Sequence, residues 1–394
     1  MRILMASHGY PPTISGVTLV VQKLARAMVA KGHAVTVVTA SERGDPYRDN
    51  DQGVQLVRVR SRDNPFWKEG PIPFISREDL DAVVDECQPE VLHIHEVALL
   101  AWQFLRLSRR EGLPLLASCH YVPRFVAQYL GGEITEDWVE PIAWGYSIWL
   151  LNQCDHVVFP NQSHRQQFLE RGLTVPTSII SNGMDVVRYC PADGRDEMVE
   201  ARYRLPLRPR ILFVGRLARD KEIDVLIHAL AHLLRQMEAH LLLVGRGDDR
   251  KRLEELVKDL GLGPWVHFLG FVPEEDMPAL YRSVDLFAIA STCEVQSLPT
   301  LQALATGKPV VAVNALALPE LVRDGLNGFL VPPGEAEAMA EAMARILRDP
   351  ELAERMGRAG LAIAQHHAQE HTFDRYEALY QQLVRARERR EERR

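Results

Sequence analysis

Residues 286–314 read LFAIASTCEVQSLPTLQALATGKPVVAVN. An apolar run is followed by a polar loop carrying Glu294, Gln296 and Ser297. Leu301, Leu304 and Ala305 then recur at helical spacing, with Gly307 and Pro309 as stop signals before a second apolar run. A helix opening near Ser297 turns its first backbone N–H groups, that of Leu298 among them, toward the carboxyl edge of the strand. Together with the positive dipole end, these make a place for an anion. Glu294 stands just ahead, where a carboxylate can accept hydrogen bonds from sugar hydroxyls, and Gln302 lies about one turn inside the helix. A ligand that is both phosphate and sugar suits this pattern better than a simple anion.

A second set of charges follows another apolar run, ILFVG. Gly215 and Arg216 come directly after it, and Lys221 five positions later. Two cations between a strand and a helix can converge on a diphosphate, the arginine as a fork and the lysine as a point charge. Earlier in the chain, His120 falls at the end of the run LLASCH, where a neutral imidazole can exchange hydrogen bonds with a hydroxyl. Arg124, one turn on, can meet an acceptor or its phosphate. His93 and His95 share one face of a strand by their two-residue spacing, but no third metal ligand accompanies them. Asp49 and Asp51 form a DxD in what reads as a polar connection, a poor setting for a metal site.

These groups need a scaffold, and the chain supplies an alternation of apolar runs with helical stretches. RILMAS, AVTVVT, VQLVRV, VLHIHE, LLASCH, HVVFP and TSIIS recur through the first half, and ILFVG, HLLLVG and VHFLG through the second. The pattern predicts parallel sheets covered by helices, with ligands outside the carboxyl ends of the strands. Neither glycine-rich turn is a dinucleotide fingerprint: Gly16 stands without the required partners, and Arg250 occupies the last glycine position after Gly245 and Gly247.

Length and composition fit two soluble domains: 394 residues, 46% hydrophobic and 25% charged. A net charge of −7 excludes global attraction to nucleic acid or an anionic membrane. Five scattered cysteines without CxxC spacing argue against a disulfide framework or a zinc site and for reduced thiols in the cytoplasm. No signal-peptide pattern opens the chain, and no window is apolar enough to span a bilayer. Membrane contact, where there is any, is peripheral. Two aromatic-basic segments suit it: Phe66-Trp67-Lys68, which packing against the core explains as well, and the helix with Trp102, Phe104, Arg106, Arg109 and Arg110, whose last-turn arginines also suit the helix dipole.

The stretch around Glu294 resembles the retaining GT-B glycosyltransferases of family 4, whose motif is a Glu, seven residues and a second Glu. Here Gln302 takes the final place. The segment is particularly similar to members that glycosylate membrane lipids. The resemblance implies an α/β GT-B fold of two Rossmann-like domains facing across a cleft, residues 1–185 joined by a terminal helix 371–394, and residues 186–370. It implies hexose transfer from a nucleotide diphosphate sugar, UDP-hexose first, to a lipid hydroxyl, without metal or cofactor and without nucleic-acid binding. By this resemblance His120, Arg216, Lys221 and Glu294 are catalytic. Gly16, Gly215, Phe271, Val272, Gln296, Ser297, Leu298 and Gln302 hold the donor, Phe271 and Val272 near the base. Arg124 and Trp67 face the acceptor. A soluble acceptor, GDP-mannose as donor, a GT-B epimerase, a pyridoxal-dependent phosphorylase and a noncatalytic sugar-nucleotide binder remain as alternatives.

Overall fold

The computed structural model describes the chain apart from residues 14, 64–70, 124–132, 193–195, 208 and 393–394. Trp67 and Arg124, with Phe66 and Lys68, lie outside the described residues. The chain forms two compact units, Met1–Asn182 with Glu370–Arg394, and Gly183–Gln369.

The first unit contains β1 (Arg2–Ser7), β2 (Ala34–Ala40), β3 (Tyr47–Asp51), β4 (Val54–Arg62), β5 (Ile72–Phe74), β6 (Val91–Ile94), β7 (Leu115–Ser118), β8 (His156–Phe159) and β9 (Thr177–Ile179). Their order is β3-β4-β2-β1-β6-β7-β8-β9, with β5 on β4. From β4 to β9 along this path the pairs are parallel, and only β3 and β5 pair with β4 antiparallel. The parallel strands are apolar on both faces because helices cover both. The order reverses between β1 and β6, so the loops leaving those two strands diverge there and make a crevice at their carboxyl ends.

Asp49 and Asp51 are not in a connection as the sequence reading has it. They lie in β3, an edge strand whose hairpin to β4 turns at Gln52 (φ 53°) and Gly53 (φ 92°). Two left-handed residues give the turn that matches strand twist, and an edge position tolerates the charges. Asp51 accepts from Tyr10 Oη (2.7 Å), Gln22 Nε2 (3.0 Å) and Arg26 Nε (2.9 Å). Burial pushes its carboxyl up, but these donors bring it below the usual range. The DxD thus holds the Gly16–Ala30 helix and the loop after β1 to the sheet edge.

The helix Gln369–Glu391 packs Tyr376, Leu379, Tyr380 and Leu383 into the core of the first unit, beside Ile3, Met5 and Val21. Lys31 Nζ grips it from outside through Asp374 (2.6 Å) and Glu377 (2.9 Å). Inside, His93 Nδ1 is hydrogen-bonded to Tyr380 Oη (2.7 Å) and His93 Nε2 to Ser118 Oγ (2.8 Å), which also meets Tyr376 Oη (2.8 Å).

The second unit contains β10 (Arg210–Val214), β11 (His240–Val244), β12 (Val266–Gly270), β13 (Leu286–Ile289), β14 (Val310–Val313) and β15 (Gly328–Val331). All pair in parallel in the order β12-β11-β10-β13-β14-β15. This is the doubly wound nucleotide-binding arrangement, with its reversal between β10 and β13. Ile211 stands beside Leu286 and Leu212 beside Phe287, so the loops after these strands start side by side. Among the described residues no helix is long and apolar enough to cross a membrane.

Replacing Tyr380 by Phe removes one partner of a fully buried imidazole. The first unit is expected to lose about 1–3 kcal/mol, read as a lower urea midpoint by tryptophan fluorescence, with Tyr380→Leu at least as harmful.

Candidate functional site

The switch point of the second unit gathers the charged residues. After β10 the chain passes Gly215 and Arg216, makes a single 3-10 turn at Arg219–Lys221 and enters the Ile223–Leu233 helix. Lys221 Nζ lies 2.7 Å from Glu294 Oε1 and 3.4 Å from Asp220 Oδ2, and Arg216 Nη2 lies 3.1 Å from Asp220 Oδ1. Burial pulls the Lys221 ammonium down, but Glu294 and Asp220 outweigh it and hold it above the usual lysine range. Lys221 is therefore a fixed positive charge at neutral pH. Ser291 Oγ donates to Asp220 O (3.0 Å) and Thr292 Oγ1 to Glu222 Oε1, so the loop after β13 carries the 3-10 turn with it. Glu222 takes the left-handed region (φ 47°) to reverse the chain after Lys221, a conformation costly for a residue with a Cβ.

A third loop fixes the first. Gly215 N donates to Val244 O (3.0 Å), Leu217 N to Arg246 O (2.9 Å) and Asp249 N to Leu217 O (3.0 Å). Gly245 has φ +135°, and a Cβ there would stand 1.8 Å from Gly215 O; one at Gly247 would stand 2.1 Å from Leu217 O. The Gly245–Gly247 turn is thus glycine because the backbone bearing Arg216 lies against it.

The Leu298–Ala305 helix begins where the sequence places it, with fully buried Ser297 as its N-cap. Ser297 Oγ accepts from Thr300 N (3.3 Å) and Thr300 Oγ1 (2.8 Å), so this hydroxyl serves the cap. Pro299 has no N–H, which leaves Leu298 N as the first-turn amide without a partner among the described residues. The several first-turn amides expected to face an anion are therefore narrowed to one. Glu294 Oε2 also has no partner among the described residues, while its Oε1 is held by Lys221. Gln296 is half-buried in the same loop.

Gln302 Oε1 accepts from Tyr281 Oη (2.9 Å), and Tyr281 is fully buried. The acceptor face of the amide is thereby occupied, and its N–H groups are what Gln302 offers elsewhere. Sequence reasoning had no signal for Tyr281, twenty-one positions away. After β12, Phe271 is half exposed with the Arg246 guanidinium 5.5 Å from its ring, and Val272 is buried, leaving only its backbone for a ligand.

Gly16 and His120 belong to the first unit. Gly16 opens its helix behind Ser15, which caps Thr18 N (3.2 Å), and a Cβ at Gly16 would meet nothing within 4 Å. His120 Nε2 lies 3.2 Å from His95 Nδ1. Burial pushes the His120 imidazole down to about 4, a hydrogen bond to Asn182 offsetting it in part; burial also holds His93 and His95 well below the ordinary value, helped by His120 beside both and by His93 beside His95. These imidazoles are neutral at pH 7. Among the described residues no three His, Cys, Asp or Glu side chains group as a metal site.

Two Rossmann-like units with parallel sheets are the architecture of the GT-B fold, and comparison with known proteins supports a glycosyltransferase. The family model for glycosyl transferases group 1 matches residues 197–362, and that for glycosyltransferase family 4 matches residues 14–188. A GDP-mannose-dependent alpha-mannosyltransferase of Mycobacterium tuberculosis is 27% identical, covering 89% of each chain. A D-inositol 3-phosphate glycosyltransferase of Salinispora tropica is 29% identical over 91% of this chain and 78% of its own. The solved sucrose-phosphate synthase of Thermosynechococcus elongatus superposes with a TM-score of 0.83 at 25% identity, over 98% of this chain and 99% of that one.

Replacing Gly245 by Ala drives a methyl group into the Gly215 carbonyl and shifts Arg216. Turnover is expected to fall roughly a hundredfold, as misplacements of about 1 Å do, while circular dichroism keeps the helical signal; unchanged turnover would show that Arg216 needs no such support.

Proposed function

We propose that the protein is a retaining hexosyltransferase that moves a hexose from a nucleotide diphosphate sugar to a hydroxyl acceptor without a metal ion. The observation that carries this reading is the Lys221–Glu294 contact, which sets a fixed cation and a hydroxyl-accepting carboxylate at one switch point. As the bond from C1 to the diphosphate breaks, charge develops on the leaving phosphate. Arg216, Lys221 and the Leu298 N–H stabilise it, and a single well-placed donor of this kind lowers a barrier by ~3–4 kcal/mol. Glu294 Oε2 accepts from sugar hydroxyls. His120, neutral, shares a hydrogen bond with the hexose. The acceptor oxygen bonds to C1 on the face the phosphate leaves, and the departing phosphate oxygen takes its proton, so configuration is retained and no protein base is needed. Phe271 and Arg246 offer a stacking surface for the base.

UDP-hexose is our first donor, by the resemblance around Glu294, and GDP-mannose the second, favoured by the mannosyltransferase relative. A lipid hydroxyl is our first acceptor. Its support is an exposed aromatic face on the first unit, where Trp149 lies 5.3 Å from Trp102 and 6.1 Å from Tyr146, with Ile142 71% exposed beside them in the same helix. Such a face suits a peripheral position at a lipid surface. A donor-by-acceptor screen read by mass spectrometry, with diacylglycerol and glycolipids beside soluble sugars, tests the assignment; product only from soluble sugars would remove the lipid.

Turnover is expected to survive EDTA and to fall by at least about a hundredfold in Arg216→Ala/Lys221→Ala. Loss with chelator and full activity in the double variant would sink the metal-free mechanism. Gln302→Glu is expected to tighten nucleotide binding by about 1–3 kcal/mol, because a carboxylate serves Tyr281 and still accepts from a ribose hydroxyl. Calorimetry giving equal dissociation constants would refute that.

A further inference from the structure

Two imidazoles meet at the end of the second sheet that the proposed chemistry does not use. β11 begins at His240, and His267 is the second residue of β12. These strands pair in parallel, with Leu242 beside His267. Side chains two apart on a strand share a face, so His240, Leu242 and His267 emerge on one side of the sheet. The rings meet on the diagonal: His240 Nδ1 lies 3.1 Å from His267 Nε2, with the ring planes 47° apart. Trp265, just before β12, joins them, its ring centroid 5.1 Å from that of His240. β12 is an edge strand and both histidines are half-buried, so water reaches the pair. Arg216 and Phe271 follow carboxyl ends of strands, and the five residues of β11 put the histidines about 13 Å from that edge.

Two facing ring nitrogens at this distance share one hydrogen. The same spacing also fits a metal ion. Bonds of about 2.0–2.1 Å hold two nitrogens ~3.3 Å apart at a tetrahedral angle and ~2.9 Å apart at a right angle. The observed 3.1 Å falls between them. A small turn of each ring aims both lone pairs at one ion. The ring that donated the shared N–H then carries its proton on its other nitrogen, so both ligands are neutral imidazoles. Burial holds both rings below the ordinary histidine value; at His240 a hydrogen bond to the Pro264 carbonyl and the Glu238 charge offset this, and the Arg210 charge adds to it. Arg210 stands beside His240 on β10, but its guanidinium is spent on Glu200 (2.7 Å) and on the carbonyls of Pro206 (2.6 Å) and Ser283 (2.9 Å). A ring hydrogen-bonded to a backbone carbonyl, as His240 is, is the usual support of a ligating histidine. His267 has no other hydrogen-bond partner among the described residues, so nothing else claims its Nε2.

We propose that His240 and His267 form a binding site for a divalent ion of the zinc, nickel or copper kind, with water in the remaining positions, separate from the site of sugar transfer. Imidazole nitrogens suit these ions, whereas Mg²⁺ and Ca²⁺ require oxygen ligands. The ion ties the edge strand β12 to its neighbour β11. The proposal goes beyond the glycosyltransferase reading and does not depend on it.

Titration of the full chain with Ni²⁺ or Cu²⁺ tests this by tryptophan fluorescence, because an ion on His240 quenches the adjacent Trp265. Saturable quenching is expected, and none with Mg²⁺ at the same concentration. Trp265→Phe is expected to lose that quench while calorimetry still shows Zn²⁺ binding. His267→Ala is expected to weaken Zn²⁺ binding roughly a hundredfold. His240→Gln is expected to weaken it as much, and covers the case in which the alanine variant fails to fold by circular dichroism. Absence of saturable binding, equal binding of Mg²⁺, a quench that survives Trp265→Phe, or wild-type affinity in the folded histidine variants would each overturn it. Turnover in EDTA reports the metal-free transfer mechanism separately, and either result there leaves the binding result standing.

Discussion

The ion pair between Lys221 and Glu294 is the constraint on which the site depends. It joins two loops that leave neighbouring parallel strands toward opposite sides of a reversal of sheet order. Both side chains are mostly buried, at 19% and 12% exposure, so water screens the attraction only in part. A pair of this kind is weak as a source of stability, since desolvation offsets much of the Coulomb gain. Its value is positional. Asp220 extends it to Arg216, and the four charges cancel, so the free site carries both cations without net charge. The diphosphate we propose there would meet groups already oriented, with little reorganisation left to make.

The two units use the same geometry for opposite electrostatics. In the second, the strand ends carry permanent charges locked to one another. In the first, they carry imidazoles that burial keeps neutral and a carboxyl that burial pushes toward protonation. The terminal helix matters here because Tyr376 and Tyr380 hold Ser118 and His93 from behind. The His93 ring lies 3.9 Å from that of His95, which meets His120. The last stretch of chain thus supports the most buried polar groups of the first unit.

What could be read in the sequence was what depends on local order. Apolar runs ending in Gly215-Arg216, His120 and Glu294 mark strand ends, and Ser297 before a helical period marks a cap; both depend only on neighbours along the chain. What could not be read depends on partners distant in sequence. Tyr281 occupying Gln302, and Tyr380 reaching His93, have no periodic signature. Two signals were present and were not used. Pro299 removes a helix-end donor by its chemistry alone, and Gln52-Gly53 is a two-residue hairpin turn that makes Asp49 and Asp51 a strand. The charged residues there masked the turn, because edge strands tolerate a composition that central strands do not.

Lys221 carries a further consequence for how the donor enters. Its ammonium has three N–H donors; one is taken by Glu294 at 2.7 Å, and Asp220 at 3.4 Å draws on the charge without a full hydrogen bond. A lysine fully engaged by carboxylates would have to give up a partner to meet a phosphate, and that loss would subtract from binding. Here the pairing leaves donors on Lys221 and the second oxygen of Glu294 without a partner among the described residues. On the proposed reading, a phosphate and a sugar hydroxyl would add to the pair instead of replacing it. In the mechanism we propose, the charge on Lys221 would face two anions at once as the leaving group departs, and its raised affinity for its proton keeps it from acting as an acid. The departing phosphate oxygen would then take the proton released by the acceptor.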